Sequence, residues 1–285
     1  MVGAASTFAG AAPHRLAVIE WVFRVAVAME FVGHGAFGIK TKAAWVPYFG
    51  VFGIPEEWAW RLMPLVGVLD ISVGLITLVL PVRLVLLHMS CWGLMTATLR
   101  PLSGEGVWET LERGYNYGVP FAFLLLAGVP SRAREWLARI DLRAAAPGRE
   151  AAALTLRWAI GLCLIGHGGV ALFTHTRWIR HLEAIGFAPE NAPVVLSVAG
   201  WSEIVLGVAI LVGPVAPLLV VALVWKVATE ALRIPAGEPI WEFIERGGAY
   251  AAPVVLMLLQ RDARGVARAP APALPRAPAQ AAHPR

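Results

Sequence analysis

Long apolar runs, separated by short polar or glycine-rich connections, dominate the chain. A run of about 17–25 apolar residues is long enough for a helix to cross the hydrocarbon layer of a bilayer. Eight runs approach or reach that length: Leu16–Gly38, Leu62–Leu80, Val82–Leu99, Tyr115–Val129, Leu154–Phe173, Pro193–Val212, Val215–Leu232 and Ala249–Leu259. The pattern predicts an all-α polytopic membrane protein with eight transmembrane helices. The fourth and eighth runs are short and are expected to begin inside the connection that precedes them.

Composition narrows the class further. Of the 285 residues, 58% are hydrophobic and 15% charged, against about 45–50% and about 25% in soluble domains. Mean hydropathy is +0.66. A cytosolic enzyme, a disordered chain and a secreted disulfide scaffold are excluded, and the two cysteines, Cys91 and Cys163, both lie in apolar runs. The net charge of +5 is largely arginine in short connections and the tail. It reads as membrane topology and not as a nucleic-acid surface. An even number of spans puts the N-terminus, the Arg-rich middle connection and the tail on one side. The positive-inside rule makes that side cytoplasmic, in a plasma (inner) membrane. The organisation expected is an N-terminal segment (1–15), a four-helix bundle (16–130), a cytoplasmic basic linker (131–150), a second bundle (151–260) and an Ala/Pro/Arg tail (261–285). The tail has nothing to bury and is expected to be disordered.

Displacing the chain by 133 residues superimposes it on itself without a gap. Between 24–126 and 157–259, 33 of 103 positions are identical. The matches are of informative types: Arg24/Arg157, Gly33-His34-Gly35/Gly166-His167-Gly168, Trp45/Trp178, Trp92/Trp225 and Arg100/Arg233. The densest block contains Trp108, Glu109, Glu112, Arg113 and Gly114, repeated as Trp241, Glu242, Glu245, Arg246 and Gly247. Four spans per copy make this a parallel repeat, with a pseudo-twofold along the membrane normal.

Ionisable residues inside apolar spans cost at least about 2.5–3.5 kcal/mol and are expected to face a partner or water. Arg24 lies four residues after Glu20, so the two share a helix face. The second copy has Ala153 at the place of Glu20, which makes Asp70 and Glu203 the more general partners expected for Arg24 and Arg157. His34 and His167, each between two glycines, suit a hydrogen bond to such a carboxylate, a contact to a quinone or similar substrate, or, less well, haem ligation. Gly33-x-Gly35-x-x-Gly38 matches the dinucleotide pattern by letter but sits inside an apolar helix, so it reads as packing. No metal site is expected. Glu105, Glu109 and Glu112 form one stripe of a short helix, with Arg113 four residues after Glu109 and Trp108 at the headgroup level. Arg100, Arg233, Glu109, Glu112, Arg113, Glu242, Glu245 and Arg246 therefore line either a solvated lid or a binding mouth on the extracytoplasmic side.

Two four-span units, each with an early arginine and a Gly-His-Gly late in its first span, resemble a tandem pair of DoxX-like membrane proteins. The resemblance rests on Arg24…Gly33-His34-Gly35 and Arg157…Gly166-His167-Gly168. It implies an integral membrane protein linked, in some members, to quinone-coupled oxidation of sulfur compounds or thiols. Three functions stay open. In a quinone-linked redox subunit, His34 or His167 holds the ring, Asp70 or Glu203 exchanges the proton, and a partner protein supplies electrons. In a small-solute permease, Arg24, Arg157 and the carboxylates line the path. In an assembly protein the buried charges set helix register. The bundles face each other within one chain or across a homodimer.

Overall fold

The computed structural model describes residues 13–144, 146–173 and 178–267. Those residues are all-α, with no named strand among them. In the first half α1 (Pro13–Lys40) leads through a 3-10 turn (Ala43–Trp45) to the short α2 (Val46–Val51), then α3 (Glu56–Val79), α4 (Arg83–Leu102), the short α5 (Val107–Glu112) and α6 (Gly114–Ala127). A four-residue helix, α7 (Ala133–Trp136), lies in the linker. The second half runs through α8 (Arg149–Phe173), the short α9 (Ile179–Glu183), α10 (Ala192–Val212), α11 (Ala216–Ala231), the short α12 (Ile240–Ile244) and α13 (Gly247–Ala267). Each of the eight apolar runs is a helix. Three of them, α3, α8 and α10, are long and apolar enough to cross a membrane. Helix α13 continues to Ala267, eight residues beyond the end of its apolar run. The rest of the Ala/Pro/Arg tail, 268–285, and residues 1–12 lie outside the described residues.

Packing follows side-chain size. Helix α1 crosses α3 where Gly35, Gly38 and Gly67 meet, and α8 crosses α10 where Gly168 meets Gly200. Glycine pairs let helix backbones touch, which strengthens dispersion contacts where hydrophobic driving force between helices is weak. The halves interlock. Helices α5 and α6 lie against α8, while α12 and α13 lie against α1. One apolar core accordingly draws Phe23, Val27, Phe123 and Leu126 from one half and Leu156, Leu164, Val255 and Leu256 from the other. The Phe23 and Phe123 rings stack with centroids 4.9 Å apart. Valines 194, 198, 205 and 212 of α10 are exposed, while Glu203 on the same helix is buried. Apolar outside and charged inside is the arrangement a lipid solvent favours.

The linker is not a loose connection. Ile140 and Leu142 are buried in the core. The Leu142 N–H donates to Glu20 Oε2 at 2.8 Å, and Glu20 also pairs with Arg24. The Arg83 guanidinium donates to the carbonyls of Ala127 and Gly128, at 2.8 and 2.9 Å, where α6 ends.

Candidate functional site

The glycines flanking each histidine face different neighbours, which explains the motif physically. A Cβ at Gly35 would strike α3 at Gly67 and Ile71, and one at Gly168 would strike α10 at Gly200 and Ile204. A Cβ at Gly33 would strike the backbone of Glu245, and one at Gly166 that of Leu111 and Glu112. Gly33 and Gly166 thus let the ends of α12 and α5 press in between the long helices. The Glu-Arg pairs of the two halves meet there. Arg246 lies 3.4 Å from Glu112 and 3.4 Å from Glu245, and Arg113 lies 3.6 Å from Glu245. All four are buried. The expectation of a solvated lid is therefore overturned. Trp108 rests on Gly169 and stacks on Phe173 at 5.7 Å. Glu109 pairs with Arg100, and Arg113 with Glu245, in place of the Glu109–Arg113 pair expected from helix spacing. The short helix α5 starts at Val107 and leaves Glu105 outside it.

At the ends of α4 and α11 the halves repeat one clamp. Arg100 Nη1 donates to Glu105 at 2.9 Å and Glu109 at 3.3 Å. Arg233 Nη1 donates to Glu238 at 2.8 Å and Glu242 at 3.5 Å. A second side chain braces each outer carboxylate: the Tyr48 hydroxyl donates to Glu105, and His181 Nε2 lies 2.8 Å from Glu238. Burial pushes the Tyr48 hydroxyl well above its ordinary pKa. Burial pushes Glu238 up, but the His181 hydrogen bond and the Arg233 charge outweigh it and hold that carboxyl down at about 2. Lys42 Nζ donates to Glu242 at 3.0 Å and ties the first-half connection to α12.

A pocket lies beside each clamp, and here the halves diverge. The second-half pocket, about 260 Å³, is lined by His167, Trp178, Glu203, Trp225, Glu230 and Arg233 among others. His167 Nδ1 lies 2.7 Å from Glu203 Oε2 and the Trp225 indole donates to Glu203 Oε1 at 2.6 Å. Glu230 accepts from Lys226 Nζ at 2.8 Å and Arg233 Nε at 2.7 Å, with Arg246 Nε at 3.6 Å and His167 Nε2 at 3.7 Å. The first-half pocket, about 320 Å³, is lined by aromatic and apolar side chains such as Phe31, Trp45, Phe49, Phe52, Trp92 and Met95, with Glu30, His34, Asp70, Arg100, Arg113 and Asn116. Gly93 and Ala97 stand where the second half has Lys226 and Glu230. His34 Nδ1 lies 3.5 Å from Glu245 and 3.3 Å from the Glu30 carbonyl. Asp70 Oδ1, Glu30 Oε2, Asn116 Oδ1 and Arg113 Nε have no hydrogen-bond partner among the described residues. No such atom belongs to a lining residue of the second pocket.

Residues 152–229 match the DoxX family model. The resemblance read from Arg157 and Gly166-His167-Gly168 is thereby borne out in the second half. The DoxX segment carries most of α8, α9, α10 and most of α11, with His167, Glu203 and Trp225 of the second pocket and with Lys226, which pairs with Glu230. No curated protein and no solved structure matches the chain. The DoxX match and the apolar helices identify an integral membrane protein that sits in a lipid bilayer.

Two expected site residues lie elsewhere. Arg24 is ten residues, about 15 Å of helix, from His34, and pairs with Glu20 and not with Asp70. Arg157 donates to the carbonyls of Leu211 and Val212 at the end of α10. Both serve helix ends and the linker, and neither lines a pocket. Lys226, Glu230, Asn116 and Tyr48 are the site residues that sequence reasoning passed over. The available signal for the first two was a pair of charges four apart inside an apolar span, absent from the other copy.

Proposed function

We propose that the chain crosses the membrane eight times as two like-oriented repeats with cytoplasmic termini, and that the first-half pocket binds a lipid-soluble quinone near the extracytoplasmic face. The topology is supported by the helix found at each apolar run and by the Arg-rich linker and tail. The single observation that carries the binding reading is the first pocket itself: an aromatic-lined cavity whose lining includes four buried polar side chains, each with an atom that lacks a hydrogen-bond partner among the described residues. Apolar walls with a few fixed polar groups are the usual form of a small-molecule site, and buried polar atoms without partners cost about 1–3 kcal/mol each unless a ligand or water satisfies them.

A bound quinone accepts two electrons and two protons. The chain's own part is to hold the ring between Trp92, Phe31 and Trp45, to offer donors from His34 and Arg113 to its oxygens, and to exchange protons at the carboxyls of Asp70 and Glu30. Electrons come from an extracytoplasmic donor protein. Detergent-purified protein is expected to release quinone into an organic extract and to bind decylubiquinone, with affinity lowered about tenfold or more by Asp70→Asn. Protein that neither retains nor binds a quinone overturns the reading.

A further inference from the structure

The second half contains, built into its own chain, the ligand chemistry that the first half lacks. Glu230 places a carboxylate at the junction of Arg233, Arg246 and His167, and Lys226 completes its partners. The repeat aligns these three partners with Arg100, Arg113 and His34, all of which line the first pocket. Glu230 itself aligns with Ala97, a buried residue that also lines that pocket. The first half has thus kept two arginines and the histidine, and has Gly93, Ala97 and a cavity where the second half has the Lys226–Glu230 pair. Arg113 is the informative side chain. The residue is buried, at 9% exposure, and its Nε has no hydrogen-bond partner among the described residues. Its counterpart, Arg246 Nε, likewise makes no hydrogen bond among the described residues but lies in ion-pair range of the Glu230 carboxylate, at 3.6 Å.

We infer that the mouth of the first pocket is an oxyanion site, and that its ligand is an apolar molecule ending in a carboxylate which takes the place Glu230 fills in the second half. The charge arrangement supports this polarity. Along α4, Arg100 is eight residues, about 12 Å, beyond Trp92, and Trp92 and Asp70 are the repeat counterparts of Trp225 and Glu203, which are hydrogen-bonded at 2.6 Å. The arginines accordingly lie at the mouth, and Asp70 lies deeper, beside apolar walls that suit the body of such a ligand. A guanidinium binds a carboxylate more strongly than a neutral hydroxyl because both partners are charged and its donors match both oxygens. The inference concerns the mouth of the pocket and stands whether or not a quinone occupies its depth.

The test uses the full chain in detergent with radiolabelled decanoate as the probe, competed by unlabelled decanoate and by decanol. One saturable site is expected, with decanol competing about tenfold or more weakly than decanoate. Ala97→Glu, which copies the second half, is expected to abolish decanoate binding. Arg113→Gln is expected to weaken it about tenfold, and Arg113→Lys to weaken it less. The wild-type competition needs no variant, so a misfolded Ala97→Glu does not spare the idea. Equal competition by decanol, or an Ala97→Glu protein that binds decanoate as wild type does, overturns it. Decylubiquinone titrated into the same samples separates the two readings. Loss of quinone binding alone removes the function proposed above, and loss of decanoate binding alone removes this one.

Discussion

The Arg100 and Arg233 clamps are near copies, each guanidinium held by two carboxylates from the turn and short helix that follow. One helical turn before each clamp the copies part. The second half carries Glu230 beside Lys226, and of the charges around Glu230 only Arg246 Nε lacks a hydrogen bond among the described residues; the first half carries Ala97 beside Gly93 and leaves Arg113, Asn116, Glu30 and Asp70 with unmatched atoms. Gly93 also lets α6 approach closely, since a Cβ there would lie 2.5 Å from the Asn116 carbonyl oxygen. The contrast teaches that one scaffold serves two ends. On the proposed function, the half whose partners are supplied internally is a brace, and the half where they are withheld is a receptor.

Substitutions can break the contrast. The largest effect is expected from Glu230→Ala, which strips the shared carboxylate from Lys226, Arg233 and Arg246 and leaves buried cations uncompensated. Thermal unfolding in detergent is expected to show a loss of about 3–5 kcal/mol, partly recovered when Lys226→Met is added. Full stability in the single variant would show that Glu230 braces nothing. Next come Gly33→Ala and Gly166→Ala, each of which drives a methyl group into the backbone of the opposing short helix. Both are expected to cost about 1–3 kcal/mol, to a similar extent, because the interlock, unlike the pockets, is the same in both halves. A cost confined to one of them would deny the interlock its symmetry. The smallest effect concerns Glu238. Its pKa is held down at about 2, so its stabilising contribution is complete above the ordinary carboxylate range and disappears as pH falls towards 2. Glu238→Gln is expected to lower Tm slightly at pH 6 and not at pH 2. A difference that persists at the lower pH would assign the loss to packing.

The helices were legible in the chain because apolar runs of bilayer length admit few other readings. His34, Asp70, Arg100 and Arg113, which line the first pocket, were legible as candidates because self-alignment marks the residues, or in the case of Asp70 and Glu203 the carboxylate, that both copies retain. What it conceals is the converse. Gly93 against Lys226 and Ala97 against Glu230 look like ordinary divergence until the space around them is known. Arg24 was misassigned for a different reason. Depth in an apolar run says that a charge needs a partner but not which one, and Glu20, one turn away and joined to Leu142 of the linker, was nearer than Asp70. For the short helices the sequence leaves a solvated lid and a binding mouth open, because a polar stripe usually faces water. Gly33 and Gly166 admit them to the interior instead.

The crossing of α5 and α6 onto α8, and of α12 and α13 onto α1, has a consequence for assembly. Neither half encloses its own first helix: each would stand with one flank bare if made as a separate polypeptide. A solitary four-helix unit of this design would have to find a second copy and exchange its last hairpin with it. Because one chain carries both halves, joined through the buried stretch around Leu142, that reciprocal embrace is a single intramolecular event, independent of how many molecules share the membrane.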